Sequence, residues 1–292
     1  MPELPEVETI RLQLDQALKG LRITGVEVLN KKSFVGEIGD IKEKRVIGVT
    51  RRAKITIIEL EGGVYLAIHL KLTGQLIFLE ENQKSKISKA CFFEIKDQKE
   101  GPFEVGELPN KYTRVIISFD KGKLFFNDLR IFGWIRVLRD LGDLGEDKFG
   151  PEANDEKTFT LDYFKNILAK TKKPIKIVIM DQKKLAGVGN IYANEALFQA
   201  KILPTRKADS LTEEEVKKLR NSIINVLKEA IFHKGSSDRD EAYRQITGEK
   251  GTYQNYFSVY GKAGQKCPKC QGTIKRIVLG GRGTFFCPNC QK

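Results

Sequence analysis

The chain has 292 residues, enough for two or three domains with buried cores, and its 51 Lys+Arg against 38 Asp+Glu give a net charge of +13. Such a field attracts polyanions, nucleic acid first; no run of about eighteen apolar residues and no basic amphipathic helix argues for a membrane partner. Acids from Glu3 onward interrupt any apolar signal region, so a cytoplasmic protein with reduced thiols is expected.

The chain opens MPELPEVETI. An aminopeptidase that removes Met before small residues would leave the secondary amine of Pro2 as the terminus, with an α-amino pKa near ~8 and a usable neutral form at physiological pH. Attack by such an amine on a sugar carbon yields an iminium, and a neighbouring carboxylic acid, Glu3 or Glu6, can protonate the displaced oxygen. The ordinary reading is that Pro2 permits Met removal while Glu3 and Glu6 favour a helix start electrostatically. Val7, Ile10, Leu14 and Leu18 recur at helical spacing, predicting a helix from residue 2 to about 19, ended by Gly20.

From Leu21 to about Leu138 come eight short apolar or alternating runs: ITGVEVL, RVIGVT, KITIIEL, VYLAIHL, QLIFL, TRVIISF, KLFFND and GWIRVL. Their close spacing predicts a β-sandwich or barrel. The polar stretch 80–112 reads as an extended loop or extra hairpin, and its Cys91 as a partly buried, inert thiol. Residues 141–158, rich in Gly and acids, form the predicted linker. Helices follow at LDYFKNILAKT, around NIYANEALFQAK, and over SLTEEEVKKLRNSIINVLKEAIFHK, where Ser210 and Glu213 have capping-box spacing. The turn Gly187-Val-Gly189 precedes Asn190 at a helix start, where unpaired amides and the helix dipole suit a phosphate. Further on, GEKGTYQNYFSVYGKAG offers four aromatics that could stack on a base.

Four of the five cysteines lie in the last 26 residues as Cys267-x-x-Cys270 and Cys287-x-x-Cys290, sixteen residues apart. Two such knuckles close a tetrahedral, structural Zn2+ site, whereas disulfides need an oxidising compartment. The metal would hold a hairpin of IKRIVL and TFFC with Gly280-Gly281-Arg282-Gly283 at its tip. The fold class expected is α+β: an N-terminal domain 1–140, the linker, a helical domain 159–262 and a zinc finger 263–292.

Taken together, PELPEVET, GVGNIYANEALF, GGRGTFFCPNCQK and the paired cysteines resemble the bacterial formamidopyrimidine-DNA glycosylases, base-excision enzymes for oxidised purines. The likeness spans nearly the whole chain. It implies an N-terminal helix with a β-sandwich, a helix-two-turn-helix domain and a zinc finger, acting as a monomer on double-stranded DNA, with nucleoid association. By the same resemblance Pro2 is the nucleophile at C1′ of a flipped nucleotide, Glu3 the acid that opens the sugar, Glu6 a supporting acid, and Lys54 a phosphate ligand in the proton transfers. His69 would meet phosphate and Leu72 would wedge into the base stack. Arg130 would face the widowed base and Phe132 fill the stack. Asn190 and Arg282 would grip phosphate, Arg282 also assisting β,δ-elimination. Lys172 and Lys176 fall in a basic segment that approaches the lesion. Three positions depart from the pattern: Leu72 stands where Met is usual, Ile131 where a basic residue is common, and Tyr112 where a DNA-contacting histidine is expected. An endonuclease VIII-like enzyme for oxidised pyrimidines would share the nucleophile but usually lacks LPEVET. A non-catalytic damage-binding protein would have no need of Pro2, Glu3 and Lys54 together.

Overall fold

The computed structural model describes residues 1–80, 91–93, 103–105, 108–145, 148–237 and 243–292, with backbone alone at 91–93 and 103–105. It divides into two units, Met1–Glu146 with His233–Gln254, and Asp147–Phe232 with Asn255–Lys292.

Helix α1 spans Leu4–Leu18. It starts two residues later than the spacing predicts because Glu3 is its N-cap, in a reciprocal capping box with Glu6. Leu4, Val7, Ile10, Leu14 and Leu18 form its buried face. Asp15 accepts the Val49 N–H at 2.8 Å, which covers part of an edge strand's exposed backbone.

All eight predicted runs are strands; β4, β6 and β10 are buried on nearly every residue, while β1, β3 and β11 keep exposed positions. β1 (Ile23–Val28), β9 (Thr113–Phe119), β10 (Gly122–Asp128) and β6 (Gly74–Leu79) make a four-stranded sheet in that order. β2 (Phe34–Val35), β11 (Trp134–Leu138), β5 (Val64–His69), β4 (Ile55–Leu60) and β3 (Val46–Arg52) make a five-stranded one. The two residues of β2 were too few to show a period. Within 80–112, β7 (Cys91–Phe93) pairs antiparallel with β8 (Phe103–Val105), the extra hairpin; the Cys91 side chain lies outside the described residues. Between the sheets lies a core that includes Leu66, Ile68, Leu76, Ile117, Leu124, Phe126 and Ile135, joined by Tyr243 and Ile246 from the returning segment 233–254.

The second unit is helical. Thr160 caps α2 (Leu161–Ala169) by accepting the Tyr163 N–H. The run IKIVIM, unassigned from its pattern, is the short helix α3 (Ile175–Met180). α4 (Asn190–Ala200) begins after Gly189, as the glycine turn predicts. α5 (Glu213–Phe232) is capped by Thr212 and Glu215, whose side chains and amides bond reciprocally at 3.3 and 2.9 Å. This corrects the Ser210–Glu213 frame by two residues: Glu213 instead pairs with Lys165, and the Ser210 hydroxyl donates to Lys207 O. A two-stranded hairpin, β12 (Lys275–Leu279) and β13 (Arg282–Phe286), ends the unit. Among the described residues no helix is long and apolar enough to cross a membrane.

The cap frames make a direct test. Thr212→Ala should lower the stability of the helical unit by about 1 kcal/mol, while Ser210→Ala stays within about 0.5 kcal/mol, both by urea denaturation. The reverse ranking would restore the Ser210 frame.

Candidate functional site

The N-terminal site is built around one carboxylate. Glu6 is wholly buried; its Oε2 accepts the Glu3 N–H and its Oε1 the Ser236 N–H, each at 2.8 Å. Glu3 is also buried, its carboxylate taking the Glu6 amide in return. Pro2 therefore enters a fixed helix start from a buried position. Gly235, at φ +73, leaves space that a Cβ would take from Glu6 Oε1, at 2.8 Å. Tyr243 closes this wall: its hydroxyl donates to Lys234 O, and burial together with the Glu6 charge pushes its pKa well up.

Lys54 is placed by a second set of bonds. Glu8 on α1 accepts from Arg11 and, at 2.8 Å, from Arg51, whose guanidinium also donates to Ala53 O at 2.7 Å. That holds the tight β3–β4 turn, with Ala53 at φ +51 and Lys54 only 6 % exposed.

His69 ends β5. Its Nδ1 accepts the Lys71 N–H at 3.0 Å, so the ring is neutral with its proton on Nε2. Burial, then the charges of Lys71 and Lys54, pull its pKa down to about 3. Its ring centroid stands 5.7 Å from that of Trp134. Leu72 is half-buried, Arg130 is exposed, and Phe132 stays 57 % exposed, unusual for an aromatic ring. These three lie on two loops joined through Asp128, which sequence spacing did not single out. Tyr112 is buried, its carbonyl taken by the Asp128 N–H and its ring beneath the Lys111 ammonium, so the exposed group at that corner is Lys111.

In the helical unit, Asn190 opens α4 and Lys172 is exposed, whereas Lys176 is fully buried. The Lys176 ammonium donates to Asn190 Oδ1 at 2.7 Å, Thr284 Oγ1 at 2.7 Å and Gly283 O at 3.1 Å. Its expected approach to a ligand is thereby corrected: Lys176 orients Asn190, leaving the amide NH2 as the donor to a partner. Asn194 Oδ1 accepts the Phe285 N–H at 2.8 Å. Glu195, buried in α4, accepts the amides of Ser258, Val259 and Tyr260 at 2.8 to 3.0 Å; burial raises its pKa against the pull of those donors. Arg282 is exposed, but it begins β13 opposite Leu279 rather than lying within a longer tip. The turn is Gly280-Gly281, both at positive φ, and a Cβ on Gly280 would meet Ile177 at 2.3 Å. Neither Lys176 nor Glu195 could have been read as an internal anchor from sequence, since both types are ordinarily exposed.

The sulfur atoms of Cys267, Cys270, Cys287 and Cys290 lie within 4.8 Å of one another, with 3.8 Å for Cys267–Cys290 and 3.4 Å for Cys270–Cys287. A tetrahedron of thiolates at about 2.3 Å from zinc has edges of about 3.8 Å, so the cluster fits one zinc closed to further ligands. Gln291 fixes the second knuckle by accepting the Cys287 N–H at 2.8 Å.

A β-sandwich led by a Pro-Glu helix start, a helical unit with a glycine turn before Asn190, and a four-cysteine hairpin together define the helix-two-turn-helix, zinc-finger class of DNA glycosylases. Family models agree in chain order: the formamidopyrimidine-DNA glycosylase N-terminal domain matches residues 1–135, its H2TH domain 149–241, and the zinc finger found in FPG and IleRS 264–292. Formamidopyrimidine-DNA glycosylases of Chloroflexus aurantiacus and Pelotomaculum thermopropionicum are 39 % and 37 % identical, over 100 % of this chain and 98 % and 99 % of theirs. A Lactococcus lactis FPG mutant solved with Fapy-dG containing DNA superposes with a TM-score of 0.83 at 32 % identity over 100 % of both chains. The MutM (FPG) protein of Thermus thermophilus gives 0.83 at 35 % identity, over 99 % of this chain and 98 % of its own. The chain belongs to the formamidopyrimidine-DNA glycosylase family, DNA repair enzymes with a structural zinc.

Two measurements check the site. His69 is one of only two histidines. Its folded pKa lies below the ordinary 6.5, so its contribution to stability is full above about pH 6.5 and declines as the pH falls toward 3. In histidine-labelled NMR, the ring signal that vanishes in His69→Gln should keep the neutral Nε2–H form down to about pH 4; a midpoint near 6.5 would contradict the assignment. Elemental analysis should find one zinc per chain, lost in Cys270→Ser; stoichiometric zinc in that variant would refute the four-thiolate site.

Proposed function

We propose that this chain excises oxidised purines, 8-oxoguanine and formamidopyrimidines, from double-stranded DNA and then cleaves the strand by β,δ-elimination. One observation carries the reading: Pro2 immediately precedes the cap of a buried helix start whose two carboxylates, Glu3 and Glu6, hold each other's amides. Removal of Met1 frees the Pro2 amine. The positive end of the α1 dipole disfavours its protonated form, which favours the nucleophile. The Pro2 nitrogen bonds to C1′ as the glycosidic bond breaks, the base leaving with the electron pair and a proton. Glu3 protonates the ring oxygen as the sugar opens, and the secondary amine becomes an iminium without losing a second proton. Glu6 acts by fixing the Glu3 backbone. Loss of a C2′ proton then expels the 3′ phosphate and loss of a C4′ proton the 5′ phosphate, steps in which Lys54 and Arg282 would serve as the cations.

Phosphate would be met by the Nε2–H of His69, by Lys54, by the Asn190 amide and α4 start, and by Arg282, with Lys172 at the margin. Leu72, Arg130 and Phe132 would occupy the stack vacated by the flipped nucleotide. The Lactococcus lactis FPG complexes with Fapy-dG containing DNA support the formamidopyrimidine part of this reading. The +13 charge supports a monomer working along chromosomal, nucleoid DNA.

Borohydride should trap the protein covalently on duplex DNA bearing 8-oxoguanine opposite cytosine, with the adduct at Pro2 by peptide mass mapping. Met retained ahead of Pro2 should abolish trapping. An adduct on a lysine, or undiminished trapping with Pro2 blocked, would overturn the mechanism; binding without turnover would mark a damage-binding protein.

A further inference from the structure

Resting on the duplex-opening role assigned above, we propose that Asp128 is a positioning residue that makes the two wedge-bearing loops a single rigid piece. The chain crosses from the five-stranded to the four-stranded sheet through residues 70–73, between β5 and β6, and crosses back through 129–133, between β10 and β11. His69 pairs with Trp134 and Gly74 pairs with Asp128, so the two crossings begin and end side by side at one rim. The ladders stop there, and the Asp128 carboxylate continues the connection. Its Oδ1 accepts the Thr73 hydroxyl and, at 3.1 Å, the Arg130 N–H, which is also 3.0 Å from Thr73 Oγ1. Its Oδ2 accepts the Gly133 N–H at 2.7 Å.

Thr73 adjoins Leu72, and the amides of Arg130 and Gly133 bracket the segment presenting Arg130 and Phe132. Within that bracket Ile131 sits at φ +58, a left-handed conformation that β-branched residues avoid and that the flanking bonds hold in place. A Cβ on Gly133 would lie 2.7 Å from Phe126 and 3.1 Å from Asp128 Oδ2, so the loop is seated directly on the core. Asp128 is fully buried and Thr73 is 9 % exposed. A buried carboxylate is satisfied only while both loops donate to it, so moving one loop alone leaves charge and donors unmatched. Insertion into a base stack is resisted by the stack, and loops already fixed together meet that resistance without reordering.

The test compares Asp128→Asn, Thr73→Val and Thr73→Ser with wild type in three assays: single-turnover excision from duplex DNA with 8-oxoguanine opposite cytosine, borohydride trapping on a single-stranded abasic oligonucleotide, and fluorescence of 2-aminopurine opposite an abasic analogue. Asparagine offers one oxygen and turns an NH2 toward the Gly133 N–H. Asp128→Asn and Thr73→Val should each slow duplex excision roughly ten- to a hundredfold and shrink the 2-aminopurine response, while single-strand trapping stays within about twofold. Thr73→Ser, which keeps the hydroxyl, should match wild type. Equal losses on duplex and single strand, or full duplex activity in Thr73→Val, would overturn the proposal; if Asp128→Asn does not fold, Thr73→Val decides. A wild-type protein that excises nothing would refute the functional reading instead, leaving the 2-aminopurine signal to judge the coupling.

Discussion

The geometry of the N-terminal half depends on the Glu6 carboxylate. The direction of the Pro2 nitrogen is set by the backbone that follows it. Glu6 fixes that backbone by holding the Glu3 amide, and it spends its second oxygen on Ser236, 230 residues away in sequence. Leaving two buried amides unmatched would cost about 1–3 kcal/mol each, enough to loosen the terminus before any chemistry begins. Arg51 and Glu8 extend the same logic to the turn bearing Lys54.

The helical unit follows a parallel rule with one anchor of each kind, a cation and a carboxyl group. Lys176, a cation without exposed surface, gathers Asn190, Gly283 and Thr284, while Glu195 gathers three consecutive amides of the segment leading to the zinc hairpin. Buried charges of this kind are costly when isolated and add little net stability when paired; their value is that few other arrangements satisfy them. Asn190 and Arg282 thus stand on a frame held by Lys176 at one side and by four thiolates at the other.

Much of this was legible in the sequence because it is local. Eight strands follow from short apolar or alternating runs, the zinc site from two CxxC knuckles, and the start of α4 from Gly187 and Gly189 before Asn190. The α5 cap was misplaced because SLTEEE contains two overlapping Ser/Thr-x-x-Glu frames that local pattern cannot rank. What escaped entirely is non-local: Asp128 meets a Thr73 hydroxyl 55 residues away, and its N–H reaches the carbonyl of Tyr112, whose ring is buried just before β9. Composition likewise counts Lys176 among the cations available to a ligand, when folding removes it from solvent.

The return of residues 233–254 to the first unit also sets an order of assembly. Tyr243 and Ile246 belong to the sandwich core, and Ser236 completes the Glu6 clamp, yet the ribosome makes them after α2 to α5 of the second unit. The sheets can pair as soon as Leu138 has emerged, but the end that carries Pro2 stays unfinished for about another hundred residues of synthesis. A nascent chain therefore holds the Pro2–Glu6 start in an incomplete socket until α2 to α5 have been made, so the geometry of its first residues is settled late, after the helical unit rather than before it.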